Sequence, residues 1–272
     1  MPNLTVLLAP SDQKQPGGNP FAPDMFDYRT SGTFNYFDAL NPERRALIDT
    51  LQTVINEHDE EQLADLFGLE GPALDEAIRV NTEIYDAPLM SALDRYSPGI
   101  MYAAMDFANL PTGAQRRLLE NGIIISGLFG LLRPDDLIPN YQLGINDNVP
   151  DMGAPADYWR DTISPILNDY IAGRFVWDLL PDAHRDVWND THTYEARAVV
   201  HFEEDMGDGY EPVPKEELDI QRGQFVNYVM QETAEDFEEL EEWEDHPDGF
   251  SYAKRALTHD EATNTWHVYM RR

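Results

Sequence analysis

Apolar and polar positions follow two different periods along this chain, and the switches between them mark its elements. Leu4 to Ala9 is a short apolar run that predicts a buried first strand. After Asn41 and Pro42, apolar side chains fall at Leu47, Leu51, Val54, Ile55, Leu63 and Leu66. That spacing predicts an amphipathic helix broken near His58, with the Asn-Pro pair as its start. More helix is expected from about Pro72 to Glu83 and through residues 88–120. Strand signals come at 122–126, at Arg174 to Leu179 and at Tyr194 to Phe202, where β-branched residues gather. Residues 223–243 are expected to be helical, with Phe225, Val229 and Phe237 in the core. The last segment predicts a hairpin, with Phe250, Tyr252 and Ala256 on one arm and Trp266, Val268 and Met270 on the other. Residues 15–36, rich in Gly and Pro, read as loop. Strands interleaved with helices predict an α+β (mixed α/β) fold, a mixed sheet surrounded by helices. Neither a repeat nor a linker divides it, so one domain over 1–272 is expected.

Charge changes this picture more than length does. The chain carries 51 Asp+Glu against 19 Lys+Arg, for a formal net charge of -32. Such a charge repels nucleic acid and anionic membranes at long range. It fits a basic partner or a metal on the functional side, and a general acidic bias of the source on the other. The acidic run from Glu238 to Asp245 lacks regular ligand spacing and reads as a solvated helix end. Cysteine is absent, which excludes disulfides, thiolate catalysis and Cys-ligated metals. The seven histidines show no metal-ligand spacing, so neither a metal nor a cofactor is expected. No basic n-region opens the chain and no run of about 18 apolar residues occurs, so the expectation is a cytoplasmic monomer with no membrane partner.

Candidate chemistry gathers where strands end. "LLAPSDQK" puts Ser11 and Lys14 in a Ser-x-x-Lys spacing, which on a helical turn would share one face. A neutral lysine there could take the serine's proton, although the companion motifs of penicillin-binding proteins are absent. Lys14 is the sole lysine in the first 214 residues. Ser11 and Lys14 are therefore the candidate catalytic pair, with anion binding or imine formation open to the amine. The second strand end is Ser126-Gly127, followed by Arg133. The third is "VWDLLPDAH", with Asp178. Separately, "LADLFGLEGPALDEAI" reads as a helix-hairpin-helix over about 61–80, whose glycines Gly68 and Gly71 would let backbone N–H groups approach a phosphate. Glu70 sits in that hairpin, and a packing-only role stands beside the nucleic-acid one.

Taken together these segments resemble the YaaA peroxide stress protein family, nearly end to end. "LLAPSDQK" is similar to the family's strand and Ser-x-x-Lys. "APLMSALDRYSPGIMYAAMD" is similar to its Asp-Arg-Tyr-x-Gly-x-x-Tyr segment, "SGLFGLLRPDDLIPNYQL" to its central motif and "YWRDTI" to its aromatic region. The resemblance implies a cytosolic protein of the peroxide stress response, linked to intracellular iron and DNA, with a cleft in a single mixed α/β domain. By matching positions the cleft would hold Ser11, Lys14, Tyr102, Ser126, Arg133, Tyr141, Tyr158 and Trp159; Gly127, Asp178 and Arg222 complete the candidate set. Three positions depart from the pattern: Gln142 replaces an Arg, Pro181 and His184 replace a Ser and a Tyr, and a basic segment survives only as Gln221-Arg222-Gly223. The expected ligand is an anionic small molecule, such as a phosphorylated metabolite, or nucleic acid. The alternatives are an enzyme using Lys14 and Ser11, and a non-catalytic acidic protein that binds a basic partner. Ser11, Lys14, Ser126 and Arg133 are expected to converge on one pocket.

Overall fold

A computed structural model describes residues 3–19 and 36–272. Most of the loop expected over 15–36 thus lies outside the described residues. The molecule is a mixed α+β fold built on one large sheet. Five strands run parallel in the order β11 (Thr265–Arg271), β7 (Ala196–Asp205), β6 (Phe175–Asp178), β1 (Leu4–Leu8) and β3 (Gly122–Ser126). Antiparallel strands flank them: β4 (Gly130–Leu132) beside β3, β8 (Tyr210–Pro212) beside β7, and β9 (Ser251–Tyr252) and β10 (Thr258–Asp260) beside β11. A separate two-stranded ribbon pairs β2 (Met90–Ser91) with β5 (Leu137–Ile138).

The central strands are buried throughout, which is why they read as unbroken apolar runs rather than alternating ones. β1 lies between β3 and β6. The chain leaves β1 towards β3 and later returns to build β6, β7 and β11 on the other side. In such sheets the crevice outside the carboxyl ends of the strands, where the order reverses, is the place a ligand enters. The segment Ala9–Lys14 leaves β1 at that point.

The helices are α1 (Asn41–Glu57), α2 (Glu60–Phe67), α3 (Gly71–Thr82), α4 (Ala92–Arg95), α5 (Ile100–Met105), α6 (Thr112–Asn121), α7 (Pro155–Ile171), α8 (Asp182–Arg185) and α9 (Lys215–Glu232). Asp59 ends the first expected helix at His58 and starts the next, because its carboxylate and Gln62 form a reciprocal cap. α9 packs on the sheet face that carries Phe175 and Trp177; the Trp177 and Phe225 rings meet edge to face at 5.1 Å.

Several expectations change here. The helix expected over 88–120 is four short pieces: β2, α4, α5 and α6, with a 3-10 turn at Phe107–Asn109. Gly99 opens α5 in an extended conformation, Asp106 ends it at φ 50°, and Pro111 precedes α6. The helix expected over 223–243 begins earlier, at Lys215, and stops at Thr233, whose φ of 61° closes it. The first arm of the terminal hairpin is split: Tyr252 lies in β9, while Ala256 sits in a 3-10 turn, Lys254–Ala256, before β10. α7 had no counterpart in the apolar pattern.

Candidate functional site

The carboxyl ends of β1 and β3 meet around a group of hydroxyls. Val6 pairs with Gly122 and Leu8 with Ile124, so Ser126 stands level with the residues that follow β1. Its hydroxyl lies 2.8 Å from the Tyr141 hydroxyl, which lies 2.7 Å from that of Tyr96. Ser126 also accepts from the Phe129 N–H at 3.2 Å, and the Tyr102 hydroxyl donates to the Ala9 carbonyl at 2.8 Å. All four side chains are buried. Burial raises Tyr96 and Tyr102 well above the ordinary phenol range and Tyr141 to about 12, so they remain neutral hydroxyls at physiological pH.

Lys14 lies over this group. Its Nζ sits 4.5 Å from the centroid of the Tyr141 ring and 3.4 Å from the Asp12 carbonyl. Among the described residues it forms no ion pair with a carboxylate. Desolvation brings its pKa from 10.5 down to about 8; Asp12 and Asp147 oppose that fall, and Arg95 adds to it. The amine is thus close to half protonated just above neutral pH.

Sequence reasoning missed Arg95. It is fully buried, and its guanidinium donates to the carbonyls of Gln15, Gly17, Pro88 and Ile138. Its charge meets neutral carbonyls only, so it adds positive potential beside Lys14, and it fixes the chain that follows the lysine. The Asp-Arg-Tyr spelling, Asp94-Arg95-Tyr96, was the available signal. Asp147 accepts from the Gly144 N–H, and its pKa is raised by desolvation.

Ser11 is close by but does not engage the lysine. Residues 11–14 form a bend rather than a helical turn. Ser11 Oγ accepts from the Gln13 N–H at 3.1 Å and lies against Gly99, where a Cβ would come within 2.2 Å of it.

A second cluster stands at the end of β6. Asp178, fully buried, accepts from the Leu180 N–H through Oδ1 and from Arg185 and Arg197 through Oδ2. Its oxygens are occupied by the scaffold. Arg222 is 8% exposed, pairs with Asp219 at 3.2 Å and leaves its Nε without a partner. Both ring nitrogens of His184 are buried and unpartnered as well. Burial lowers His184 to about 4, with Asp12 opposing and Arg222 reinforcing the shift. Asp12 therefore faces both Lys14 and His184, which joins the two clusters into one edge.

Other expected residues lie elsewhere. Arg133 follows β4, level with the start of β3, because Leu132 pairs with Ile124 on an antiparallel strand. It donates to the Leu119 carbonyl at 2.9 Å, pairs with Asp135 and covers the Tyr36 ring. It stands at the amino end of β3, away from Ser126, whereas Lys14 and Ser126 each meet Tyr141. The Tyr158 hydroxyl donates to the Glu43 carbonyl, and Trp159 Nε1 to the Gly127 carbonyl. Trp159 fixes the turn between β3 and β4, whose Gly130 has φ 65° and leaves no space for a Cβ against the indole. Gly68 and Gly71, both at positive φ, face open solvent among Asp65, Glu70, Asp75 and Glu76. Arg79, on the same helix pair, is held by Glu76 and Glu83.

The model of the family described as peroxide stress protein YaaA matches residues 4–256. The chain belongs to the YaaA peroxide stress protein family. Among its relatives, a UPF0246 protein of Streptomyces coelicolor is 29% identical over 196 residues, 72% of each chain. One from Corynebacterium efficiens is 27% identical over 206 residues, 76% of each chain. One from Finegoldia magna is 25% identical over 212 residues, 76% of this chain and 82% of the relative. Within this YaaA-family protein, no described helix is long and apolar enough to cross a membrane. Among the described residues, no group of three or more His, Asp or Glu side chains is placed to hold a metal ion.

Proposed function

We propose that the carboxyl edge around β1 binds a small anionic ligand, with Lys14 as the cation that receives it, and that this binding serves a cytoplasmic peroxide stress response. One observation carries the reading: in a chain of net charge -32, Lys14 is drawn over buried phenols with no ion pair to a carboxylate among the described residues. A lysine without function would be expected to pair with one of the 51 acidic side chains. Removing an ammonium from water without a counter-ion is unfavourable, and an arriving anion reverses that cost. Arg95 behind it adds positive potential, and the buried nitrogens Arg222 Nε and His184 Nδ1 and Nε2 are left without partners near the same edge.

A phosphorylated metabolite fits this edge better than duplex nucleic acid does. The hairpin glycines stand among acidic residues, and long-range repulsion grows with the charge of the approaching polymer. The lowered pKa of Lys14 favours a second reading, an enzyme in which the amine acts as base or nucleophile. Replacing Lys14 with Arg separates the two, since Arg keeps the cation and cannot form an imine. If the site binds an anion, Lys14→Arg retains part of the peroxide protection that Lys14→Met loses in cells. Full loss with both variants supports amine chemistry, and no loss with either removes Lys14 from the function.

A further inference from the structure

Basic side chains gather around β9 and β11 in a chain that is otherwise strongly acidic. A hollow of about 700 Å3 opens there, lined by Tyr210, Gly249, the segment Ser251 to Ala256, Arg271 and Arg272. Four of the 19 basic residues, Lys254, Arg255, Arg271 and Arg272, border it, and none of the 51 acidic residues does. Three of the four are held by carboxylates outside the lining, Glu204 at 3.3 Å from Arg272 among them. Glu203 pairs with Arg271 at 2.8 Å, Glu217 with Arg272 at 2.7 Å, and Glu241 with Lys254 at 2.5 Å. Arg255 is exposed and has no hydrogen-bond or ion-pair partner among the described residues. Two phenol rings complete the lining. Tyr210 is 46% exposed, with the Arg271 guanidinium 4.1 Å from its centroid, and Tyr252 is half-buried beside it.

We propose that this hollow is a binding site for a free nucleotide, separate from the edge around Lys14. Planar guanidinium groups match phosphate oxygens in pairs. Exposed phenol faces beside them suit a stacked base. The volume falls within the range of about 300–1,000 Å3 typical of small-ligand sites. A nucleic-acid strand fits less well, because the -32 charge repels a polyanion far more than a ligand of two or three charges. Arg271 and Arg272 lie beyond the residues 4–256 matched by the family model, while Tyr210, Tyr252, Lys254 and Arg255 lie within them.

Calorimetric titration of the full chain with ADP and with pyrophosphate, at low ionic strength, tests the assignment. ADP is expected to bind saturably, and Arg255→Glu to weaken it by about tenfold or more through loss of a charge-assisted contact. Arg255 holds no partner, so an unchanged melting temperature is expected for that variant. Tyr210→Ala should weaken ADP while leaving pyrophosphate binding in place. In Lys14→Met, which lacks the cation of the proposed edge site, ADP should still bind saturably and still depend on Arg255, which separates the hollow from that edge. Four results would overturn the inference: no saturable ADP binding, ADP binding indifferent to Arg255→Glu, ADP binding abolished by Lys14→Met alone, or ADP binding indifferent to Tyr210→Ala.

Discussion

Lys14 holds its ammonium 4.5 Å from the centre of the Tyr141 ring, and the hydroxyl of that ring joins Ser126 to Tyr96. One aromatic side chain therefore supports the cation on its face and ties the end of β3 to Tyr96, at the close of α4, through its hydroxyl. Removing the hydroxyl separates these roles. Tyr141→Phe leaves the buried hydroxyls of Ser126 and Tyr96 short of a partner and should cost about 1–3 kcal/mol in urea unfolding. The ring stays beneath Lys14, so ligand binding at the edge should survive in the folded variant.

α5 and α9 are held at backbone contact by Gly223. A Cβ there would lie 2.2 Å from the Met101 carbonyl oxygen and 2.8 Å from the Met105 nitrogen. Gly223→Ala should destabilise the protein by about 1–3 kcal/mol through overpacking, despite the better helix propensity of alanine. Since α5 carries Tyr102 and packs on Ser11, the same change should disturb the Lys14 edge. Thermal unfolding of the variant, with and without pyrophosphate, checks both effects.

Much of the sheet was legible because buried parallel strands are written as continuous apolar runs, as in Ile123, Ile124 and Ile125. The helical breaks were less legible. Asp106 and Thr233 close helices at positive φ, a conformation that Asp adopts only at a minority of its positions and that a β-branched Thr does not advertise at all. Lys14, Ser126 and Tyr141 were named from motif and strand-end position, and they do meet. Arg133 was attached to the same place by its closeness in sequence to Ser126, yet an antiparallel turn at Gly130 carries it to the other end of the strand. The Asp-Arg-Tyr spelling marked Arg95 without showing its role, because its partners are carbonyls brought to it by tertiary packing from residues as far off as Gln15.

Burial of His184, His201 and His246 lowers each from 6.5 to about 4. As pH falls through 6.5 the unfolded chain takes up these protons first, while the folded protein resists until about 4. Their contribution to stability is complete above 6.5 and is lost as pH falls towards 4. Proton NMR of the imidazoles should show three of the seven histidines titrating near 4, and the midpoint of urea unfolding should decline across that window. If all the imidazoles titrated near 6.5, the buried, unpartnered state of His184 would be refuted.

Duplex DNA should bind weakly. Few phosphates can be neutralised by a hairpin whose glycines stand among Glu70, Asp65 and Asp75, so fluorescence anisotropy should show binding that disappears by physiological salt. Tight, salt-resistant binding would require a positive surface that the hairpin lacks.

The central claim is that Lys14 is a desolvated cation awaiting an anion, and the chain's three lysines make this directly measurable. Reductive methylation with labelled formaldehyde places an NMR probe on each amine, and the resonance that Lys14→Arg removes is that of Lys14. Without ligand it should titrate near the lowered value of about 8 rather than the ordinary 10.5. Saturating pyrophosphate should raise that pKa, because a bound anion stabilises the ammonium form. A Lys14 resonance titrating at 10.5, or one whose pKa pyrophosphate leaves unmoved, would contradict the account.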